Sequence, residues 1–171
     1  MENISNKVEF AVEARDSKLM RILSRDIESE LLEESTFPEW CFELFIKLFK
    51  DDKFCSVAGS EHFVWVIYND FEKLNIRQSE FLFKMFTTGY DRFKNKKLLH
   101  SLVDFIARKY PPYQSLKAFQ DALNQGSEAS CYAALVGSEI IAINKNSSEK
   151  EKSIAANLIN QITELGKTQG E

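Results

Sequence analysis

Glycine and proline are scarce in this chain of 171 residues, at six and three copies. A β-sandwich or barrel turns its chain many times and draws on both residues, so their scarcity disfavours those folds. Cysteine is scarce too. Cys41, Cys55 and Cys131 are odd in number, widely spaced and set in apolar runs. That pattern fits buried, reduced thiols better than a disulfide framework and points to the cytoplasm. The longest apolar run, Phe63 to Tyr68, falls far short of the roughly 18 residues that a membrane span needs. No basic start leads into an apolar run, as a signal peptide would require. A soluble, cytoplasmic protein is expected.

The vocabulary of catalysis is missing as well. The sequence has no Gly-rich phosphate loop, no nucleophile elbow, no zinc-type pairing of Cys and His, and no metalloprotease helix. His62 and His100 are the only histidines, and His100, after Leu98 and Leu99, reads as a core or groove residue. No Cys or Ser is placed by the sequence to act with either. The expectation is a protein without a catalytic centre, a metal or a cofactor.

What the chain has in excess is phenylalanine, with 14 copies, so its core should be aromatic-heavy. Hydrophobic content of 44% and charged content of 28% are ordinary for a globular chain long enough to bury a sizeable core. A single helical domain over 1–171 is expected, with 1–15 a weakly ordered arm or weak helix and 166–171 a frayed tail.

Apolar spacing of three and four residues dominates, and it predicts an all-α fold of about eight helices. Met20, Leu23, Ile27 and Leu31 make one stripe on a first clear helix from Ser17 to Glu34. Thr36, Pro38 and Glu39 then start a second, from Pro38 to about Lys50. It is apolar nearly all round, and Glu39, Glu43 and Lys47 form its one narrow polar line, so it should be central. Residues 54–68 are ambiguous: Phe63 to Tyr68 suits a buried strand as well as a buried helix, and minor strand content there is the alternative.

Further helices are expected from Gln78 to about Thr88, with Phe81, Leu82, Met85 and Phe86 inward, and from about Lys96 to Lys109 behind an Asn95 cap. Leu116, Phe119 and Leu123 mark another, closed near Gly126. Ser127 caps a small-residue helix over Ala129 to Asn144, and Ser148 to Glu151 form a capping box for the last, to about Leu165. Short links favour antiparallel neighbours, stacked as in an α-solenoid. The expected core includes Phe42, Phe45, Leu48, Phe49, Trp65, Leu102 and Ile106.

The net charge of −4 is unevenly spread, with an acidic front end, a basic middle and an acidic close. On the first clear helix, Asp26, Glu30 and Glu33 project at nearly the same angle, beside Leu19 and Ile22, and no Lys or Arg intervenes. Such like charges weaken a helix by a few tenths of a kcal/mol, about what i,i+4 pairs contribute. An acidic surface edged by apolar residues is the shape of a binding site for a basic protein. The opposite feature is Arg92 to Lys97, with Tyr90 and Phe93 interleaved, the best nucleic-acid candidate. No further basic stripe extends it to a nucleic-acid footprint, so direct nucleic-acid binding is not expected.

The small-residue helix at 129–137, the preceding Leu116 to Leu123 helix and the paired-helix plan resemble the HEAT-like helical immunity proteins of bacterial polymorphic-toxin and contact-dependent growth inhibition systems. That resemblance implies a non-catalytic protein that binds and neutralises one cognate toxin domain. It carries no functional residues with it, because those families share no site pattern. A helical adaptor with a cellular partner is the alternative, followed by a nucleic-acid-binding protein using 92–97.

Overall fold

The structure, a computed structural model, describes the backbone of residues 2–168 and the side chains of residues 4–165. Among the described residues there are nine α-helices and no strand: α1 (Glu2–Glu13), α2 (Ser17–Leu31), α3 (Glu39–Lys50), α4 (Glu61–Asn69), α5 (Ile76–Thr87), α6 (Lys96–Lys109), α7 (Pro112–Gln125), α8 (Glu128–Ile143) and α9 (Glu149–Thr168). The all-α expectation holds. The strand alternative at 54–68 does not: Phe54–Ser56 is a short 3-10 turn and α4 follows it. The tail expected at 166–171 falls outside the residues whose side chains are described.

Packing divides the chain into two compact units, Met1–Phe83 with Arg92–Ser101, and Lys84–Asp91 with Leu102–Glu171. In the first, α3 is central, as its narrow polar line implies. Phe45 and Phe49, one turn apart, meet Phe54 and Phe63 in a closed ring of four phenyl groups. Its centroid distances are 6.2 Å from Phe45 to Phe49, 5.4 Å on to Phe54, 5.3 Å on to Phe63 and 6.2 Å back to Phe45. Three of the four contacts are edge-to-face, the arrangement that aromatic quadrupoles favour. All four side chains are fully buried.

Of the two readings of the N-terminal segment, the helix is the one observed, over Glu2–Glu13. α1 buries Val8, Ala11 and Val12, and its acidic face reaches Lys47 and Lys53 through Glu9 and Glu13, each at 2.5 Å. Phe10, which falls between the buried positions, is exposed. α2 begins as predicted at Ser17, where the Asp16 carboxylate accepts from the backbone N–H groups of Lys18 and Leu19 at 3.0 Å.

α2 and α4 run parallel. At one end, Gly59 abuts the start of α2 so closely that a Cβ on it would stand 2.9 Å from the Met20 Cβ and 3.1 Å from the Ser17 Cα. Its φ of +98° excludes ordinary side chains as well. At the other end, Asn69 donates to the Glu28 carboxylate at 2.6 Å. Asn95 ties this corner down: it accepts from the Lys97 N–H, capping α6 as expected, while its amide donates to Val57, Ser60 and Glu61.

Several expectations fail for identifiable reasons. Trp65 is 43% exposed, not core. At roughly 100° per residue, Phe63, Val64, Val66 and Ile67 fill the inner arc of α4 and leave Trp65 opposite them. Phe81 is also exposed, lying edge-on to Phe42 at 5.8 Å under the Lys50 ammonium. α2 stops at Leu31 rather than Glu34, because Lys73 donates to the Leu31 carbonyl at 2.5 Å and closes the helix there. Thr36 does not cap α3. Glu39 accepts instead from Arg77 and Gln78, both from α5. His100 is exposed on α6, not a core residue.

In the second unit α8 packs against both α7 and α9. The links 126–127 and 144–148 are too short for anything but antiparallel neighbours. The local signals here are observed as read. Gly126 ends α7 at a φ of 72°, the Ser127 hydroxyl accepts from the Ser130 N–H, and Ser148 and Glu151 form a reciprocal capping box. The small residues of α8 do let a neighbour close in: the Phe119 ring of α7 sits where a Gly137 side chain would be, 2.2 Å from the position of its Cβ.

Two stability measurements check this packing. Phe45→Ala, which opens the phenyl ring, is expected to cost about 3–5 kcal/mol in chemical denaturation. A loss below about 1 kcal/mol would remove α3 from the centre. Gly137→Ala should destabilise by about 1–3 kcal/mol through overpacking, although alanine is the better helix former. Combined with Phe119→Leu it should cost less than the sum of the two single changes, because the smaller side chain vacates the clash.

Candidate protein-binding face

Both flanks of α2 remain uncovered once its apolar stripe of Met20, Leu23, Ile27 and Leu31 is buried. One flank is the acidic face read from the sequence. Asp26 and Glu30, one turn apart, are exposed, Ile22 one turn earlier is 54% exposed, and Leu19 is half-buried. Glu33 is exposed too, but it lies in the turn after the helix and so leaves the line that Asp26 and Glu30 share. Among the described residues none of these three carboxylates has a cationic partner.

This end of α2 is electrostatically awkward. The last turn carries Glu28 and Glu30 and no basic residue, against the sense of the helix dipole. Its main relief comes from 42 residues away, where Lys73 both holds the Leu31 carbonyl and pairs with the buried Asp70 at 2.7 Å. That lysine is occupied with the helix end and Asp70, so Asp26 and Glu30 stay available to a partner.

The other flank was not foreseen. Arg21 and Arg25 are exposed on α2, on the side where Glu28 meets Asn69 of α4, the helix that carries His62 and Trp65. The Trp65 and Tyr68 rings meet at 5.2 Å and 56°. His62 is held below its ordinary value by burial first, then by the positive charges of Arg21, Arg25 and Lys97, with Glu61 opposing them. Lys97, exposed in the first turn of α6, follows Asn95, whose amide bonds Ser60 and Glu61 at the start of α4. Nothing local in sequence joins these residues, which come from three helices.

The basic segment at 92–97 loses the half of its pattern that made it a nucleic-acid candidate. Phe93 is 3% exposed, with the Arg92 guanidinium over its ring at 4.6 Å, and Tyr90 is 1% exposed. Neither ring can receive a base. Lys94, Lys96 and Lys97 remain as exposed cations.

Other candidates carry less chemistry. Cys41 and Cys55 are buried, and burial is the main cause that raises both thiols, Cys55 to about 12, so neither supplies a thiolate at neutral pH. Cys131 is half-buried. Among the described residues no three His, Cys, Asp or Glu side chains converge to hold a metal ion. An open groove of about 390 Å³ between α7 and α9 is lined by Gln120, Leu123, Asn124, Gln161, Glu164 and Leu165, with one carboxylate and no second acid or base. Among the described residues no helix is long and apolar enough to cross a membrane.

Comparison with protein-family models, with curated proteins and with solved structures finds no match to the chain.

The depressed His62 sets a pH dependence. A histidine that binds its proton less readily folded than unfolded leaves stability intact above about 6.5, its ordinary value, and withdraws it as pH falls from there through the folded value. Carboxylates perturbed here, Glu9 and Glu151, have ordinary values near 4.5 and are lowered further, so they titrate below that window. Thermal unfolding should therefore show a midpoint that falls between pH 7.5 and 5.5 in the native chain and a shallower fall in His62→Gln. Identical profiles would mean that folding does not depress His62.

Proposed function

We propose that this chain is a non-catalytic immunity protein that binds a cognate bacterial toxin domain and blocks its active or substrate-binding surface. The observation that carries this reading is the α2 flank: Asp26 and Glu30 one turn apart, exposed, without a cationic partner among the described residues, and edged by an Ile22 left 54% exposed. Aligned carboxylates on a helix that already ends on the wrong charges disfavour the isolated fold. A partner supplying Lys or Arg removes that repulsion, and Ile22 with Leu19 adds apolar contact.

A toxin that cuts nucleic acid needs a basic cleft for phosphates, and an acidic inhibitor both steers toward that cleft and occupies it. The antiparallel pairing of α7, α8 and α9 is in keeping with the HEAT-like plan of such inhibitors. It supplies a firm scaffold and asks nothing of catalytic side chains. The cytoplasm, where an inhibitor of an incoming toxin must act, is part of the same proposal.

A helical adaptor with a cellular partner is the second reading, favoured by the presence of an additional uncovered surface on α4. Nucleic-acid binding through 92–97 is weaker, since Tyr90 and Phe93 are buried.

The test is charge reversal against the protein encoded next to this one or recovered with it from its host. Asp26→Lys with Glu30→Lys should slow association by about tenfold or more at low salt and flatten its salt dependence. Fold stability should change by no more than about 0.5 kcal/mol. Unchanged association rate and affinity would remove the acidic flank from the interface.

A further inference from the structure

The uncovered face where α2 lies beside α4 carries aromatic surface and a net positive charge together. Trp65 is 43% exposed and meets Tyr68; exposed Arg21 and Arg25 lie on the side of α2 where Glu28 meets Asn69 of α4, and exposed Lys97 follows Asn95, whose amide bonds Ser60 and Glu61 at the start of α4. Among the described residues none of these three cations is in an ion pair. The nearby carboxylates, Glu61 and Glu28, are held by neutral donors and keep their charge. Glu61 accepts from the Gly59 N–H and the Asn95 amide, each at 2.9 Å, and Glu28 accepts from Asn69. The surface therefore presents three cations against two carboxylates, a net positive charge beside an apolar centre.

We propose that this face is a second docking site, distinct from the acidic flank, for an acidic protein segment that lays an apolar side chain on Trp65 and its carboxylates on Arg21, Arg25 and Lys97. Tryptophan, tyrosine and arginine are the residues in which interface energy concentrates, and covering an exposed indole returns a large apolar area from water. Arg21 and Arg25 stand one helical turn apart, so a segment with carboxylates at a similar spacing meets both guanidinium groups, which suit carboxylates bidentately. A single-stranded nucleic acid fits less well. The two rings meet at 56° and so offer no parallel platforms for successive bases. Three cations bounded by Glu28 and Glu61 are short of the extended basic stripe that tracks a phosphate backbone.

The experiment uses the full chain with Trp40→Phe, leaving Trp65 as the only indole. It is titrated with a fluorescein-labelled amphipathic peptide of alternating Glu and Leu, with the same peptide carrying Gln for Glu, and with a 15-nucleotide oligo-dT. The Glu peptide should bind, change Trp65 emission and weaken as salt is raised. The Gln peptide and the oligonucleotide should bind at least tenfold more weakly. Trp65→Ala, read by anisotropy, and Arg21→Gln with Arg25→Gln should each reduce Glu-peptide affinity at least tenfold. Asp26→Lys with Glu30→Lys should not reduce it, which separates this site from the acidic flank. Arg21, Arg25, Asp26, Glu30 and Trp65 are exposed and Trp40 is half-buried, and circular dichroism confirms that each variant is folded. Preference for the oligonucleotide would make this a nucleic-acid surface. That outcome, no binding of the Glu peptide at millimolar concentration, or binding that survives both sets of substitutions, overturns the proposal.

Discussion

The closed ring of Phe45, Phe49, Phe54 and Phe63 is the constraint on which the first unit depends. Two of its members come from one face of α3, one from the 3-10 turn and one from α4, so closing the ring fixes three consecutive elements at once. The link between α3 and α4 must then be tight. That tightness explains Gly59 with its positive φ against the start of α2, and the four backbone and side-chain bonds through which Asn95 holds the corner. α2 in turn lies along α4 in parallel, its apolar stripe buried and its flanks left to solvent.

Local chemistry was readable from sequence wherever the deciding partner lies within a few residues. The Asn95, Ser127 and Ser148 caps and the Gly126 stop were of this kind, and so was the burial of Phe42, Phe45, Leu48, Phe49, Leu102 and Ile106. Phe10, Trp65 and Phe81 were not. Within a run such as Phe63 to Tyr68 every residue is apolar, so no period distinguishes the inward arc from the outward one. Glu33 was placed on the α2 line because the helix end is decided by Lys73, 42 residues downstream. The face around Trp65 is assembled from α2, α4 and α6 and has no signature in any one of them.

α2 combines features that a helix selected only for stability would avoid: acidic residues in its last turn, aligned Asp26 and Glu30, and an exposed Ile22. Violations of local rules that packing does not require tend to mark the parts of a protein that meet something else. The core beneath is aromatic and fully buried, and on the proposed function the surface charge would steer encounter with a partner of opposite sign. On the proposed function, opposite signs on the two flanks of one helix would also select between partners, because a segment docked on the wrong flank meets like charge.

Neutralisation of a toxin by occlusion is tested most directly in cells. The protein encoded beside this one is expressed in a host lacking both, alone and together with the full chain. Stoichiometric immunity predicts that the neighbour arrests growth by itself and that growth returns when this chain is present in at least equal amount. A harmless neighbour, or arrest that persists beside an equal amount of folded chain, contradicts it.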